Sequence, residues 1–232
     1  MTLPALARVS WPDARRIVST RFPAIDLFED IADPADWELL IALSAATNPR
    51  PAASVGRLDL VPAPRRVSGA GASLLMAPFT HVSEDRPGRF HDGHFGALYL
   101  ARTLETALRE TTHHKARFLR ASREAPGWFT QMRELILALD CDLHDIRNDP
   151  AWAHCLDAFD YAPSNTFARS LRASGSDGVV YPSVRHAGGE CAALFRPDTV
   201  SVPVQARHLG YHFDGVRIDL VRDETTRAVW RI

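Results

Sequence analysis

The run Ala97-Leu98-Tyr99-Leu100-Ala101 passes through a two-residue break, Arg102-Thr103, straight into a long amphipathic stretch from Leu104. Five nearly continuous apolar residues read as a short buried strand. Thr103 is a helix N-cap, and the helix it starts runs through about Leu119. A buried strand that leads straight into a capped helix places both kinds of element in the core.

Further strands are expected over "RELILALD" (133–140), "GVVYPS" (178–183), "CAALF" (191–195) and "VSVPV" (200–204). A second helix is expected over "APSNTFARSLRASG" (162–175), with Ser164 as cap and Gly175 as terminator. The tail "GVRIDLVRDETTRAVWRI" alternates Val216, Ile218 and Leu220 with Arg217 and Asp219, as a closing hairpin would. Strands and helices follow one another without a repeating βα period, so the fold class is α+β. Residues 33–50 carry Asp33, Pro34 and acids ahead of an apolar run that ends before Asn48-Pro49. Residues 1–65 are therefore expected to form an N-terminal helical elaboration packed on a core of residues 66–232, the whole being one structural unit.

Hydrophobic residues make up 46% of the 232 and charged residues 24%, enough apolar material for a real core. The net charge of −1 provides no bulk attraction to nucleic acid or anionic lipid, so arginine function has to be local. No apolar run approaches the length of a membrane span, and a cytoplasmic location is expected. The cysteines, Cys141, Cys155 and Cys191, are too few and too scattered for a disulfide framework or zinc ribbon, and are expected as reduced thiols.

Residues 88–110 gather Arg89, His91, His94, Tyr99 and Glu110 around the strand and helix. His91-x-x-His94 and the Glu110/His114 pair are compatible with metal binding, but no H-E-x-x-H motif is present, and no metal is expected. "SGAGAS" has Leu74 where a dinucleotide fingerprint needs glycine, and both G-K-[ST] and G-x-S-x-G are absent.

The ordered set Gly88-Arg89-Phe90-His91, Tyr99 ten residues after the arginine, Glu110 eleven further on, and Ser183 ending "VVYPS" resembles the RES-domain family. These are toxins of bacterial toxin–antitoxin modules, named for an arginine, a glutamate and a serine. An early arginine in an aromatic-Arg-Ile segment is also common in the family. "RRIVSTRFP" offers Arg16 for it, although an arginine stands where the aromatic would be. The resemblance covers about Arg65 to Phe195, plus the Arg16 segment.

That resemblance implies a mixed sheet core like that of ADP-ribosyltransferase toxins, acting on NAD+ as substrate with no cofactor. Glu110, Arg89 and Ser183 would be catalytic, and Tyr99, Arg16 and His91 substrate-binding. It further implies a cognate antitoxin with a helix-turn-helix DNA-binding part, DNA binding then belonging to the partner. Transfer of ADP-ribose to a cellular protein is the expected outcome. The alternatives are a glycohydrolase or phosphorylase that depletes NAD+, a metal-dependent hydrolase using the histidines, and a non-catalytic binding module.

Overall fold

The structure, a computed structural model, describes residues 3–20, 33, 36–45, 56–85 and 87–232. Among these, eight strands form one mixed sheet: β1 (Leu6–Ser19), β2 (Leu98–Ala101), β3 (Gly127–Asp145), β4 (Gly178–Pro182), β5 (Glu190–Leu194), β6 (Val204–Phe213), β7 (Ile218–Asp223) and β8 (Val229–Arg231). Four helices flank it: α1 (Trp37–Ala45), α2 (Ala72–Thr80), α3 (Leu104–Ala121) and α4 (Ala162–Ala173). The α+β expectation holds.

The strand order is β1-β2-β5-β4-β3-β6-β7-β8, and β1 pairs with β3 as well. The contact of β1 with β2 is brief, Arg15 opposite Ala101, whereas its ladder with β3 runs from Leu6–His144 to Ser19–Met132. The two contacts close β1, β2, β5, β4 and β3 into a ring, and β6, β7 and β8 continue from the amino-terminal half of β3.

Residues 6–19 are thus a strand of the core sheet, correcting the helical reading of the amino-terminal segment. The expected helix over 33–50 is present as α1 from Trp37; positions 34–35 and 46–50 lie outside the described residues. No helix among the described residues is long and apolar enough to cross a membrane.

Side chains alternate between two apolar clusters, as the period of a pleated strand requires. Leu98 and Leu100, Val180, and Ala192 and Leu194 face one side with Leu75, Met76 and Phe79 of α2. Ala101, Val179 and Tyr181, and Cys191 and Ala193 face the other, where Leu108, Ala116 and Leu119 of α3 and Phe167 and Leu171 of α4 cover them.

Thr103 caps α3 as expected, its Oγ1 accepting from the Thr106 N–H at 3.2 Å, and Glu105 in the first turn and Arg120 in the last complement the helix dipole. The α4 helix begins earlier than Ser164, at Ala162 with Pro163 in its first turn; Ser164 instead donates back to the Tyr161 carbonyl at 3.0 Å. Gly175, at φ 81°, ends it. The tail is a β7–β8 hairpin, but Val216 is two-thirds exposed and lies in the turn before β7 rather than in the core. All three cysteines are free thiols.

Candidate active site

Phe90, fully buried, anchors the turn that carries Arg89. Its ring meets Tyr181 at 4.8 Å and Phe167 at 6.4 Å, both edge-on. With Phe90 held inside, the backbone of Gly88–His91 folds over the Tyr99 side chain of β2. The Tyr99 hydroxyl accepts from the Phe90 N–H at 2.8 Å and is 2.9 Å from His91 Nδ1. Gly88 is obligatory here, because a Cβ would overlap the His91 ring. From α4, Asn165 Nδ2 donates to the carbonyls of both Gly88 and Arg89, at 2.7 and 3.0 Å. The turn is therefore fixed by β2 on one side and α4 on the other.

Arg89 is only 8% exposed. Its Nη1 donates to the carbonyls of Cys155 (3.0 Å) and Asp157 (2.6 Å), and its guanidinium lies 4.8 Å from the centre of the Tyr161 ring. Nε and Nη2 make no hydrogen bond among the described residues, so one nitrogen anchors the side chain and the other two keep donors for a ligand.

Glu110 projects from the second turn of α3 toward the end of β4, where Ser183 Oγ donates to its Oε1 at 2.6 Å. Ser183 Oγ accepts in turn from the N–H groups of Arg185 (3.2 Å) and His186 (3.0 Å). Beneath this pair sits the Cys191 thiol, pushed far up in pKa by burial and then by the Glu110 charge, and so a neutral neighbour. Burial does the same to the Tyr181 phenol, which also senses Glu110, Tyr99 and Arg89; these side chains share one region of the molecule.

Arg16 sits differently. Strand alternation puts it with Ala14 and Val18, which pack on the α2 side, while its neighbour Ile17 packs on the α3 side. It reaches the others through backbone alone, its Nη1 donating to the Tyr99 carbonyl at 3.1 Å. Its Nε is buried without a partner among the described residues, and burial lowers the guanidinium pKa to about 10, leaving it charged at neutral pH.

Sequence reasoning passed over Asn165, Tyr181 and Arg185. Tyr181 stands two residues before Ser183 on the same strand face, a signal that was available. Arg185 donates to the Ala158 carbonyl at 2.6 Å, which ties the loop after β4 to the segment that holds Arg89. His186 likewise bonds Thr106 of α3 at 2.9 Å. Among the described residues no three His, Cys, Asp or Glu side chains gather into a cluster that could hold a metal ion.

Three comparisons with known proteins bear on the family of the chain. The family model described as RES domain matches residues 63–214, which spans β2 to β6 and includes Arg89, Tyr99, Glu110 and Ser183. It leaves out β1 and the β7–β8 hairpin, although both belong to the same sheet. The uncharacterized protein y4oC of Sinorhizobium fredii (strain NBRC 101917 / NGR234) is 29% identical over 206 residues, covering 89% of this chain and 85% of its own. Among solved structures, the MbcT-MbcA toxin-antitoxin complex of M. tuberculosis aligns over 87% of this chain and 86% of the matched one, at 12% identity and a TM-score of 0.44.

Proposed function

This chain belongs to the RES domain family, and from that premise we propose that it is the toxin of a toxin–antitoxin module and an enzyme that cleaves NAD+ at the nicotinamide–ribose bond. The observation that carries the reading is the Ser183–Glu110 hydrogen bond, in the region where Tyr181 senses both Glu110 and Arg89. Breaking the bond releases neutral nicotinamide and leaves an oxocarbenium-like cation on the ribose, as in glycoside chemistry. Glu110, oriented by Ser183, supplies the negative charge that stabilises this cation. The free Nε and Nη2 of Arg89 form a donor pair suited to a pyrophosphate oxygen. Tyr99 acts mainly as a positioning residue, since its hydroxyl is taken up in holding the Arg89 turn, and His91 closes the same turn. Arg16 adds positive charge from behind β2.

The ADP-ribosyl cation is then captured by a nucleophile, which we take to be a side chain of a cellular protein. Water or phosphate as acceptor would deplete NAD+ instead. Because such a reaction harms the cell that makes the enzyme, the proposal includes a cognate antitoxin that covers Arg89 and Glu110 and carries its own helix-turn-helix. One experiment tests the reading: incubate the chain with NAD+ labelled in the adenylate half, with and without cell lysate, and follow nicotinamide release and label transfer. Release together with labelled protein supports it. Release with labelled ADP-ribose or its phosphate alone selects depletion, and no release rejects the enzymatic reading.

A further inference from the structure

A cavity of about 360 Å³ lies at the opposite end of α4 from the Arg89 turn. Its apolar wall includes Phe79, Phe195 and Pro197, and Arg65, Arg172 and Arg196 contribute to its lining. Two of these cations are already engaged. Arg65 Nη1 meets Asp198 at 2.6 Å, while Arg196 meets Asp177 at 2.8 Å and the Gly175 carbonyl at 2.7 Å. Arg172 makes no hydrogen bond or ion pair among the described residues; its guanidinium lies over the Phe95 ring, 4.4 Å from the centroid. The nearby Asp92 is itself held by Arg169 at 2.5 Å. Burial and then the charge of Arg196 make Arg172 a poorly compensated cation. Three guanidiniums against two carboxylates leave one positive charge facing an apolar wall.

We propose that this cavity is a binding site for a small aromatic carboxylate. The carboxylate would pair with Arg172, and the ring would pack between Phe79, Phe195 and Pro197. The volume falls at the lower end of the range for small-molecule sites, about 300–1,000 Å³, and an apolar body with a single anionic group matches both lining and charge. Asn165, which holds the Arg89 turn, is seven residues from Arg172 on α4, roughly 10 Å along the axis. Neither Glu110 nor Ser183 lines this cavity, and the inference does not rest on the NAD+ reading.

Titration calorimetry of the full chain with 2-naphthoate provides the test. One saturable site is expected, with 2-naphthylmethanol, the neutral analogue, and inorganic phosphate, the bare anion, each weaker by about tenfold or more. Arg172→Met keeps an apolar stem over Phe95 and is expected to weaken naphthoate by a similar factor. Saturating NAD+ is expected to leave naphthoate binding unchanged. Absence of binding, equal binding of the alcohol, or displacement by NAD+ would each overturn the proposal. The comparison of naphthoate with its alcohol is made on the native chain and decides the matter even if the variant does not fold.

Discussion

Ser183 Oγ donates to Glu110 Oε1 at 2.6 Å across 73 positions of sequence, and two backbone N–H groups occupy the lone pairs of the same hydroxyl. The proton of Ser183 has one acceptor left, so the carboxylate is held in a single orientation. Glu110→Gln removes the charge while keeping the shape. Nicotinamide release should fall about 100-fold or more, with NAD+ affinity nearly kept. Ser183→Ala frees the carboxylate to turn and should cost about tenfold. The double variant should be little worse than Glu110→Gln alone, because both changes act on one group. Full additivity in single-turnover rates would remove Ser183 from the positioning role.

The Gly88 turn invites a second test. A Cβ at position 88 would overlap the His91 ring and stand 2.9 Å from the Tyr99 hydroxyl. Gly88→Ala should therefore displace Arg89 and raise the KM for NAD+, with a loss of stability on the order of 1–3 kcal/mol. Tyr99→Phe, which deletes the acceptor for the Phe90 N–H, should show a milder form of the same change. A Gly88→Ala protein with native KM would show that the turn does not set the arginine.

Glu134 is fully buried on β3, yet both of its oxygens are taken: Arg15 reaches Oε1 and Arg207 reaches Oε2, each at 2.8 Å. The carboxylate ties β1 to β6 across β3. Glu134→Ala leaves Arg15 with Asp13 at 2.8 Å and Arg207 with Asp223 at 3.6 Å. What is lost is the clasp across β3 rather than all pairing of the cations, and the chain should be destabilised by about 1–3 kcal/mol. Denaturant midpoints of wild type and variant measure this directly, and a shift near zero would make the clasp ornamental.

His113 offers a pH signature. Burial, then the nearby charge of Arg185, depress its pKa to about 4 from an ordinary 6.5. The unfolded chain therefore binds the proton more readily, and this residue's contribution to stability is present above pH 6.5 and is lost as pH falls from about 6.5 toward 4. His113→Gln should flatten the stability profile in that window. An imidazole midpoint near 6.5 in a folded-state NMR titration would refute the burial argument.

The parts of this fold that sequence reveals are the local ones. Thr103 caps its helix through a contact three residues away, and the spacing of Arg89, Tyr99 and Glu110 follows one turn, one strand and one helix in succession. Strand β1 is hidden because its register shifts between Trp11 and Ala14, which interrupts the alternation that marks a strand. The first six residues of β3, "GWFTQM", lie ahead of the expected strand 133–140; Trp128, Thr130 and Gln131 are exposed there and the register against β6 shifts between Phe129 and Met132, so no clean alternation marks them. Strand β6, with two histidines, an arginine and a glycine, carries a weak pattern and was expected only at its first residue. Asn165 and Arg185 act on carbonyls 76 or 77 and 27 residues away, respectively, distances at which a single sequence carries no readable pairing signal.

Closure of β1 onto β3 also sets a timetable. Leu6 must wait for His144, and the ring is complete only once β4 and β5 have been made. At roughly 5–20 residues per second on the ribosome, β1 spends on the order of ten seconds without its partner. Ser183 reaches Glu110 later still. A truncated or stalled chain that stops before Ser183 therefore lacks the Glu110 contact altogether, and any chemistry that depends on it begins only in a finished molecule.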